Sequence, residues 1–63
     1  MYYENYEKIR QERGVSDYKV AGDAGISRST ISEWKTGAHT PSLENLQKIA
    51  KALGCSVGEL IGE

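Results

Sequence analysis

The segment from Arg28 to Thr36 carries the residue types in this sequence that are best suited to contact another molecule. At about 100° per residue in a helix, Ile31 and Trp34 fall on one side and point to a core. The opposite side is polar and mostly small, with a basic residue at each flank: Ser29, Ser32, Glu33 and Thr36, flanked by Arg28 and Lys35. Such a face can approach a surface closely, and a long arginine at its start has the reach to contact base edges in a DNA major groove. The chemistry expected of this segment is therefore hydrogen bonding to a partner surface.

Covalent and metal chemistry have little support in the sequence. The single histidine, His39, falls in a predicted loop with no acidic residue near it in sequence to orient the imidazole. Cys55 and His39 cannot supply the four ligands of a structural zinc site, and one cysteine cannot close a disulfide within the chain. The sequence therefore predicts no catalytic residue, no metal site, no cofactor and no small-molecule substrate.

Two further residues invite a functional interpretation but favour a structural one. Trp34 is a candidate for base stacking, yet its spacing from Ile31 places it in the core. Cys55 is a candidate reactive thiol, yet its position before a predicted helix start favours packing as a small apolar residue.

A repeated pattern predicts where the helices that position these residues begin and end. An apolar residue, a serine, three residues and a second apolar residue recur four times, at Ser16, Ser27, Ser42 and Ser56. A serine at this position accepts a hydrogen bond from a free helix amide, and the two apolar residues pack as a hydrophobic staple. Ser56 with Glu59 also predicts a capping box. The expected helix ends are glycines able to take a left-handed conformation: Gly14, Gly25, Gly37 and Gly54.

These signals predict an all-α fold, a compact bundle of five short helices. The expected ranges are about 5–13, 17–24, 28–36, 43–53 and 57–61. The fourth helix has the most regular apolar stripe, formed by Leu43, Leu46, Ile49, Ala50 and Leu53. No segment shows the sustained alternation that predicts a strand.

The second and third helices together predict a helix-turn-helix over residues 17–36. Their caps, Ser16 and Ser27, are separated by only eleven residues, so the two helices must cross at a steep angle. Ala21 is the small residue that allows close packing, and Gly25 forms the corner.

Length and charge limit the remaining possibilities. A chain of 63 residues is expected to form one domain, 1–63. The absence of an apolar run longer than three residues predicts neither a membrane-spanning helix nor a signal peptide, so a cytoplasmic location is expected. A formal net charge of −1 does not by itself indicate a nucleic-acid binder.

With these elements placed, the sequence resembles the Cro and lambda-repressor-like, Xre-type helix-turn-helix family from about Tyr6 to Ile61. The resemblance rests on Ile9-Arg10, Val15-Ser16, Val20-Ala21, Gly25-Ile26-Ser27, Ile31, Trp34, Gly37, Pro41-Ser42-Leu43, Leu46, Ile49-Ala50, Leu53-Gly54 and Leu60. It implies a transcriptional regulator of phage or bacterial repressor type. Such a protein binds a roughly two-fold-symmetric double-stranded DNA operator, usually as a homodimer, with the third helix in the major groove.

The resemblance also implies roles for individual residues. The positions that read bases are occupied by Arg28, Ser29, Ser32 and Glu33, and those that hold phosphates by Ser16, Asp17, Ser27, His39 and Thr40. Lys35 is also expected to contact phosphate, as a cation that departs from the family pattern. Dimer contacts are expected from the last helix, at Val57, Leu60 and Ile61. Arg28 and Glu33 also fit a plainer interpretation as solvated surface charges.

Three features depart from the family pattern, and two of them, Asp17 and the loop after Gly37, leave an alternative open together with the net charge of −1. Asp17 stands where the family often has a glutamine, and its carboxylate suits the helix dipole but repels phosphate. The loop after Gly37 has no permanent positive charge. Lys35 stands where many members have a glutamate that pairs with the residue equivalent to Arg10. The alternative is a protein-interaction module of the same fold, an antitoxin-like or adaptor domain with weak or no DNA binding.

Overall fold

A computed structural model describes residues 2–62, with side chains from Tyr3 onward. Met1 and Glu63, the two ends of the predicted domain, lie outside the described residues. Over the described range the chain forms five helices and no strand: α1 (Tyr2–Arg13), α2 (Asp17–Ala24), α3 (Arg28–Thr36), α4 (Leu43–Leu53) and α5 (Val57–Ile61). No described helix is long and apolar enough to cross a bilayer.

Serine caps begin four of the helices, as the repeated pattern predicts. The side-chain oxygens of Ser16, Ser27, Ser42 and Ser56 each accept a hydrogen bond from the backbone N–H three residues later. The predicted capping box is present, because the Glu59 carboxylate accepts from the Ser56 backbone N–H at 3.1 Å. Each of these helices therefore has a start that is fixed within its own first turn.

Helix α1 begins earlier than predicted, at Tyr2 rather than at about residue 5. No serine cap marks this start, so the sequence offers no signal for it. The first turn has no proline or glycine, and Glu4 adds a carboxylate near the positive end of the helix dipole. The extra turn carries Tyr3 to the side of the core.

The core is a single cluster to which all five helices contribute. Its most deeply buried side chains are Tyr6, Val20, Ile49 and Leu60. Three aromatic rings join α1 to α3, since the Trp34 ring lies 5.1 Å from the Tyr6 ring and 5.6 Å from the Tyr3 ring, between centroids. Trp34 is only 5 % exposed, which confirms the core interpretation and excludes base stacking. Cys55 packs against the same cluster, and burial raises the pKa of its thiol.

Two leucines depart from the sequence-based expectation. The sequence predicts Leu43 in the apolar stripe of α4, but its side chain is 64 % exposed, because it lies in the first turn about 70° from the middle of that stripe. The resemblance predicts Leu60 at a dimer interface, but this residue is fully buried. Helix α5 packs on both α1 and α4 and directs Leu60 inward, so the predicted dimer contact at Leu60 is wrong.

Candidate DNA interface

The corner between α2 and α3 is fixed by one glycine and one buried alanine. Gly25 adopts the left-handed conformation, with φ of 72°, and ends α2. The next residue, Ile26, donates its backbone N–H to the carbonyl of Ala21 at 3.0 Å. Ala21 is buried where α2 meets its neighbours, so a larger side chain there would push the two helices apart. This confirms the predicted helix-turn-helix.

Helix α3 is anchored through one side and leaves the other in solvent. Ile31 and Trp34 are buried, as the helical periodicity predicts. The outward residues are all exposed: Arg28, Ser29, Ser32, Glu33, Lys35 and Thr36. Because the buried side is clamped by the core, the exposed side has a fixed orientation relative to α2.

An open cleft of about 570 Å³ runs between the start of α2 and the exposed side of α3. It is lined by Asp17 and Tyr18 from α2 and by Arg28, Ser29, Ile31, Ser32, Glu33 and Lys35 from α3. All four predicted base-reading residues thus lie along one surface, together with two of the predicted phosphate contacts. We call this surface the recognition cleft.

Other predicted phosphate contacts lie outside the recognition cleft. Ser16 and Ser27 use their side-chain oxygens as acceptors for helix caps, which leaves the Ser16 hydroxyl hydrogen available to a further acceptor. The Ser27 hydroxyl also contacts that of Thr30 at 3.1 Å. His39 and Thr40 are exposed in the loop after α3, and Thr40 lines a second, smaller cleft with Tyr3 and Lys35.

The Asp17 carboxylate contacts α1, so the predicted phosphate contact at Asp17 is left to its backbone N–H. The hydroxyl of Tyr6 donates to its Oδ1 at 2.6 Å, and Nε of Arg10 lies 3.0 Å from the same oxygen. Arg10 also donates to the carbonyl of Val15 at 2.9 Å. We call this group, Tyr6, Arg10, Val15 and Asp17, the α1–α2 junction.

The electrostatics of the α1–α2 junction follow from this arrangement. The N–H of Arg10 Nε is not aligned on Asp17, so the contact between them is an ion pair rather than a hydrogen bond. Burial and the hydrogen bond to Asp17 raise the pKa of the Tyr6 phenol far above its ordinary value, so the phenol remains a donor at alkaline pH as well as at neutral pH. A carboxylate accepts hydrogen bonds but donates none, so Asp17 can offer a phosphate only its backbone N–H. That amide and the Tyr18 amide are the free donors at the start of α2.

Sequence reasoning missed Tyr18. Its side chain is 69 % exposed in the first turn of α2, and the guanidinium carbon of Arg28 lies 5.1 Å from the centre of its ring. Tyr18 and Arg28 belong to different helices, and the periodicity of either helix carries no signal for a contact between them. Only the crossing of α2 and α3 brings them together.

The surroundings of Lys35 are compatible with the predicted contact to a phosphate. Many family members have an arginine–glutamate ion pair at positions 10 and 35. That pair cannot form here because both residues are basic, and Arg10 is instead paired with Asp17. Among the residues that the structure describes, Lys35 has no ion-pair partner, so its ammonium is available to an anion at the edge of the recognition cleft.

On the last helix, two of the three predicted dimer residues have exposed surface. Val57 and Ile61 are half-buried and pack against the core from outside, whereas Leu60 is enclosed by it. Apolar surface available to a second chain on α5 is therefore limited to Val57 and Ile61.

The comparison with known families agrees with this geometry. The helix-turn-helix family profile matches residues 7–60, which include all of α2 and α3. The chain belongs to the helix-turn-helix family. Within that family it is similar to the solved structure of the restriction-modification controller protein C.AhdI from Aeromonas hydrophila. The TM-score is 0.86 and the identity 29 %, and the match covers 94 % of this chain and 89 % of that one.

Relatives in the helix-turn-helix family are named as regulators. The HTH-type transcriptional regulator DdrOP3 of Deinococcus deserti is 40 % identical over 58 residues, which is 92 % of this chain and 45 % of that protein. Control protein C.BamHI of Bacillus amyloliquefaciens is 36 % identical over 59 residues, covering 87 % of this chain and 73 % of that protein. The chain spans about half the length of the first curated relatives it matches.

Proposed function

We propose that this chain is a DNA-binding transcriptional regulator that recognises a specific duplex operator by placing α3 in the major groove. The observation that carries the proposal is the recognition cleft, which sets the free amides at the start of α2 beside the exposed side of α3. Helix N-termini bind phosphate, and a helix of nine residues with an outward polar face fits the major groove. The start of α2 would thus contact the DNA backbone, and the adjacent exposed side of α3 would contact the bases.

Base reading is assigned to Arg28, Ser29, Ser32 and Glu33. Arginine bonds guanine through two acceptors, serine hydroxyls suit several base edges, and glutamate accepts from the cytosine amino group. All four side chains are exposed along one side of α3, and Arg28 makes no hydrogen bond or ion pair among the described residues. Its donors are therefore available to a base.

Phosphate contacts are assigned to the residues around this face. Lys35 supplies the positive charge, and the Ser16 hydroxyl and the amides of Asp17 and Tyr18 supply neutral donors. Ser27, His39 and Thr40 are exposed and complete the set. With so few permanent charges, nonspecific affinity for DNA should be low, and sequence-specific contacts should supply a large share of the binding free energy.

We further propose that the protein binds DNA as a homodimer in the cytoplasm, through a surface that includes Val57 and Ile61. Both are partly exposed apolar residues on α5. A short recognition helix reads only a few base pairs, so a second copy on a two-fold-related half-site would multiply the specificity. Regulation in this scheme depends on occupancy of the operator and requires no catalytic residue, in line with relatives that are named as regulators.

Selection of bound sequences from a random duplex pool tests the proposed function. The expected result is an enriched motif with two inverted half-sites about one helical turn apart. Fluorescence titration of the enriched duplex and a scrambled duplex of equal length should then give a difference of at least a thousandfold. Equal affinity for the two duplexes would contradict sequence-specific recognition.

A second candidate function is a protein-interaction module of the same fold. It is favoured by the charges in the recognition cleft, where Asp17 and Glu33 balance Arg28 and Lys35, and by the net charge of −1. Failure to bind any duplex at about 50 mM salt, where phosphate contacts are strong, would select this function over the first.

A further inference from the structure

Tyr18 is a large, mostly exposed aromatic residue at the entrance to the recognition cleft. Its side chain is 69 % exposed, although it belongs to a helix whose other large apolar residue, Val20, is buried. The fold gains little from an aromatic ring in that position, because most of its surface stays in water. Within the described part of the chain, the one cation that lies over its ring is the Arg28 guanidinium, 5.1 Å from the ring centre.

The contact between Tyr18 and Arg28 joins the guanidinium carbon to the face of the ring, and among the described residues no hydrogen bond or ion pair occupies the guanidinium donors. A cation within about 6 Å of a ring centre is attracted by the ring, and arginine is the more frequent partner. The five N–H donors of arginine form a planar fork, and a pair of them bonds guanine. An arginine attracted by a ring therefore keeps that pair of donors, whereas an arginine held by a carboxylate would have them occupied.

The surroundings show that such a competing carboxylate is at hand. Asp17 and Glu33 both line the recognition cleft, yet Arg28 forms an ion pair with neither among the described residues. The Asp17 carboxylate is engaged by Tyr6 and Arg10 instead. Arg28 is also the first residue of α3, where the helix dipole disfavours a cation, so the ring supplies an attraction that this position otherwise lacks.

We propose that Tyr18 is a positioning residue for Arg28, and that its ring sets how strongly the protein discriminates guanine from other bases at the position read by Arg28. The inference rests on the proposed function, since it assigns a further residue to the same surface. A ring that restricts the guanidinium before DNA arrives lowers the conformational entropy lost when the arginine bonds a base. Tyr18 itself need not contact a base.

The test uses the full chain, the duplex enriched from the random pool, and the same duplex with each other base at one position. That position is the one at which a base change weakens binding by the wild type but not by Arg28→Ala. Tyr18→Leu should reduce discrimination there by about two- to fivefold, the range expected for loss of an exposed cation–π contact. Tyr18→Phe should keep it, because the ring face remains. In the Arg28→Ala background, Tyr18→Leu should have no effect on base preference.

Each other outcome overturns the inference in a distinguishable way. Equal weakening on every sequence by Tyr18→Leu and Tyr18→Phe would identify a direct phosphate contact by the hydroxyl. Unchanged discrimination in Tyr18→Leu, with discrimination lost in Arg28→Ala, would remove the role of Tyr18 and leave the proposed function intact. Retained guanine preference in Arg28→Ala, or no DNA binding by the wild type, would contradict the proposed function together with this inference. Urea unfolding of each variant checks that the fold is preserved.

Discussion

The α1–α2 junction and the recognition cleft each contain an arginine, and the two arginines are held in opposite ways. Arg10 is 18 % exposed, donates to the Val15 carbonyl and pairs with Asp17. Arg28 is exposed, lies over the face of the Tyr18 ring, and makes no hydrogen bond or ion pair with the residues that the structure describes. Arg10 is thus engaged within the chain through one hydrogen bond and one ion pair, while the donors of Arg28 remain available. The difference predicts that changes at the junction alter stability and changes at the cleft alter recognition.

The largest expected effect is a difference in protein stability between a variant of Arg10 and a variant of Arg28. Arg10→Met keeps most of the side-chain length but leaves the Val15 carbonyl and Asp17 without their partner, so the free energy of unfolding should fall by about 2 kcal/mol. Arg28→Met, the matched control, should change it by no more than about 0.5 kcal/mol. Urea denaturation followed by circular dichroism measures both, and equal losses would contradict the distinction between the two sites.

The next effect concerns the hydroxyl of Tyr6. Tyr6→Phe removes the hydrogen bond to Asp17 and should lower the free energy of unfolding by about 1 kcal/mol at pH 7, while Tyr18→Phe, the exposed control, should leave it unchanged.

The raised pKa of Tyr6 adds a pH dependence to the free energy of unfolding. Above about pH 10 the unfolded chain releases the phenol proton and the folded protein retains it. Stability therefore falls with rising pH by up to about 1.4 kcal/mol per unit.

The Tyr6→Phe variant has no phenol at this position, so its free energy of unfolding should not show the decrease above pH 10 that is due to Tyr6. The stabilities of the wild type and the variant should accordingly converge as the pH rises above about 10. Parallel curves over this range, measured by urea denaturation at each pH, would show that the Tyr6 phenol titrates alike in both states.

Asp17→Asn tests both regions in one variant, because Asp17 belongs to the α1–α2 junction and also lines the recognition cleft. Loss of the charge opposite Arg10 should lower the free energy of unfolding by roughly 1 kcal/mol. The same change removes a repulsion of about 0.6 kcal/mol for a phosphate about 7 Å away in water, so affinity for any duplex should rise about threefold. Asp23→Asn removes an equal charge that pairs with Lys19 and should leave DNA affinity unchanged. A loss of affinity in Asp17→Asn would mean that the carboxylate supports binding.

The smallest effect concerns the edge of the recognition cleft. Lys35→Ala should weaken binding to all sequences a few-fold and reduce the salt dependence of binding by about 0.9 in log–log slope, the value for one phosphate contact. Lys48→Ala on α4, where the lysine pairs with Glu44, should leave that slope unchanged. Titrations at several salt concentrations measure the two slopes, and identical slopes would remove Lys35 from the interface.

The helix boundaries and the corner were predictable from the sequence because their causes are local. Ser16 and Ser27 accept hydrogen bonds from amides three residues away. At the corner, Gly25 adopts a left-handed backbone conformation that is unstrained for glycine. The orientation of α3 was predictable for the same reason, since Ile31 and Trp34 share a face through helix geometry alone. The start of α1 was missed where no such local signal exists.

The α1–α2 junction was not predictable, because it joins residues through space. The sequence shows that Arg10 lacks its customary glutamate, but not that Asp17 replaces it across the turn at Gly14. Leu60 illustrates the same limit. Periodicity says which residues share a side of a helix, whereas the degree of burial depends on which neighbouring helix covers them. Tyr18 and Arg28 meet only after α2 and α3 have packed.

The serine caps also have a consequence for kinetics. In α2 to α5 the helix start is fixed by groups three residues apart, so little chain entropy is lost before the first stabilising contacts form. Small helical proteins with such local contacts fold in microseconds to milliseconds. At nanomolar concentration, two molecules take about a second or longer to meet, even at fast association rates. A newly made or unfolded chain of this kind would complete folding well before it meets a partner, so the waiting time for a partner, and not the formation of α3, would limit the rate of its response.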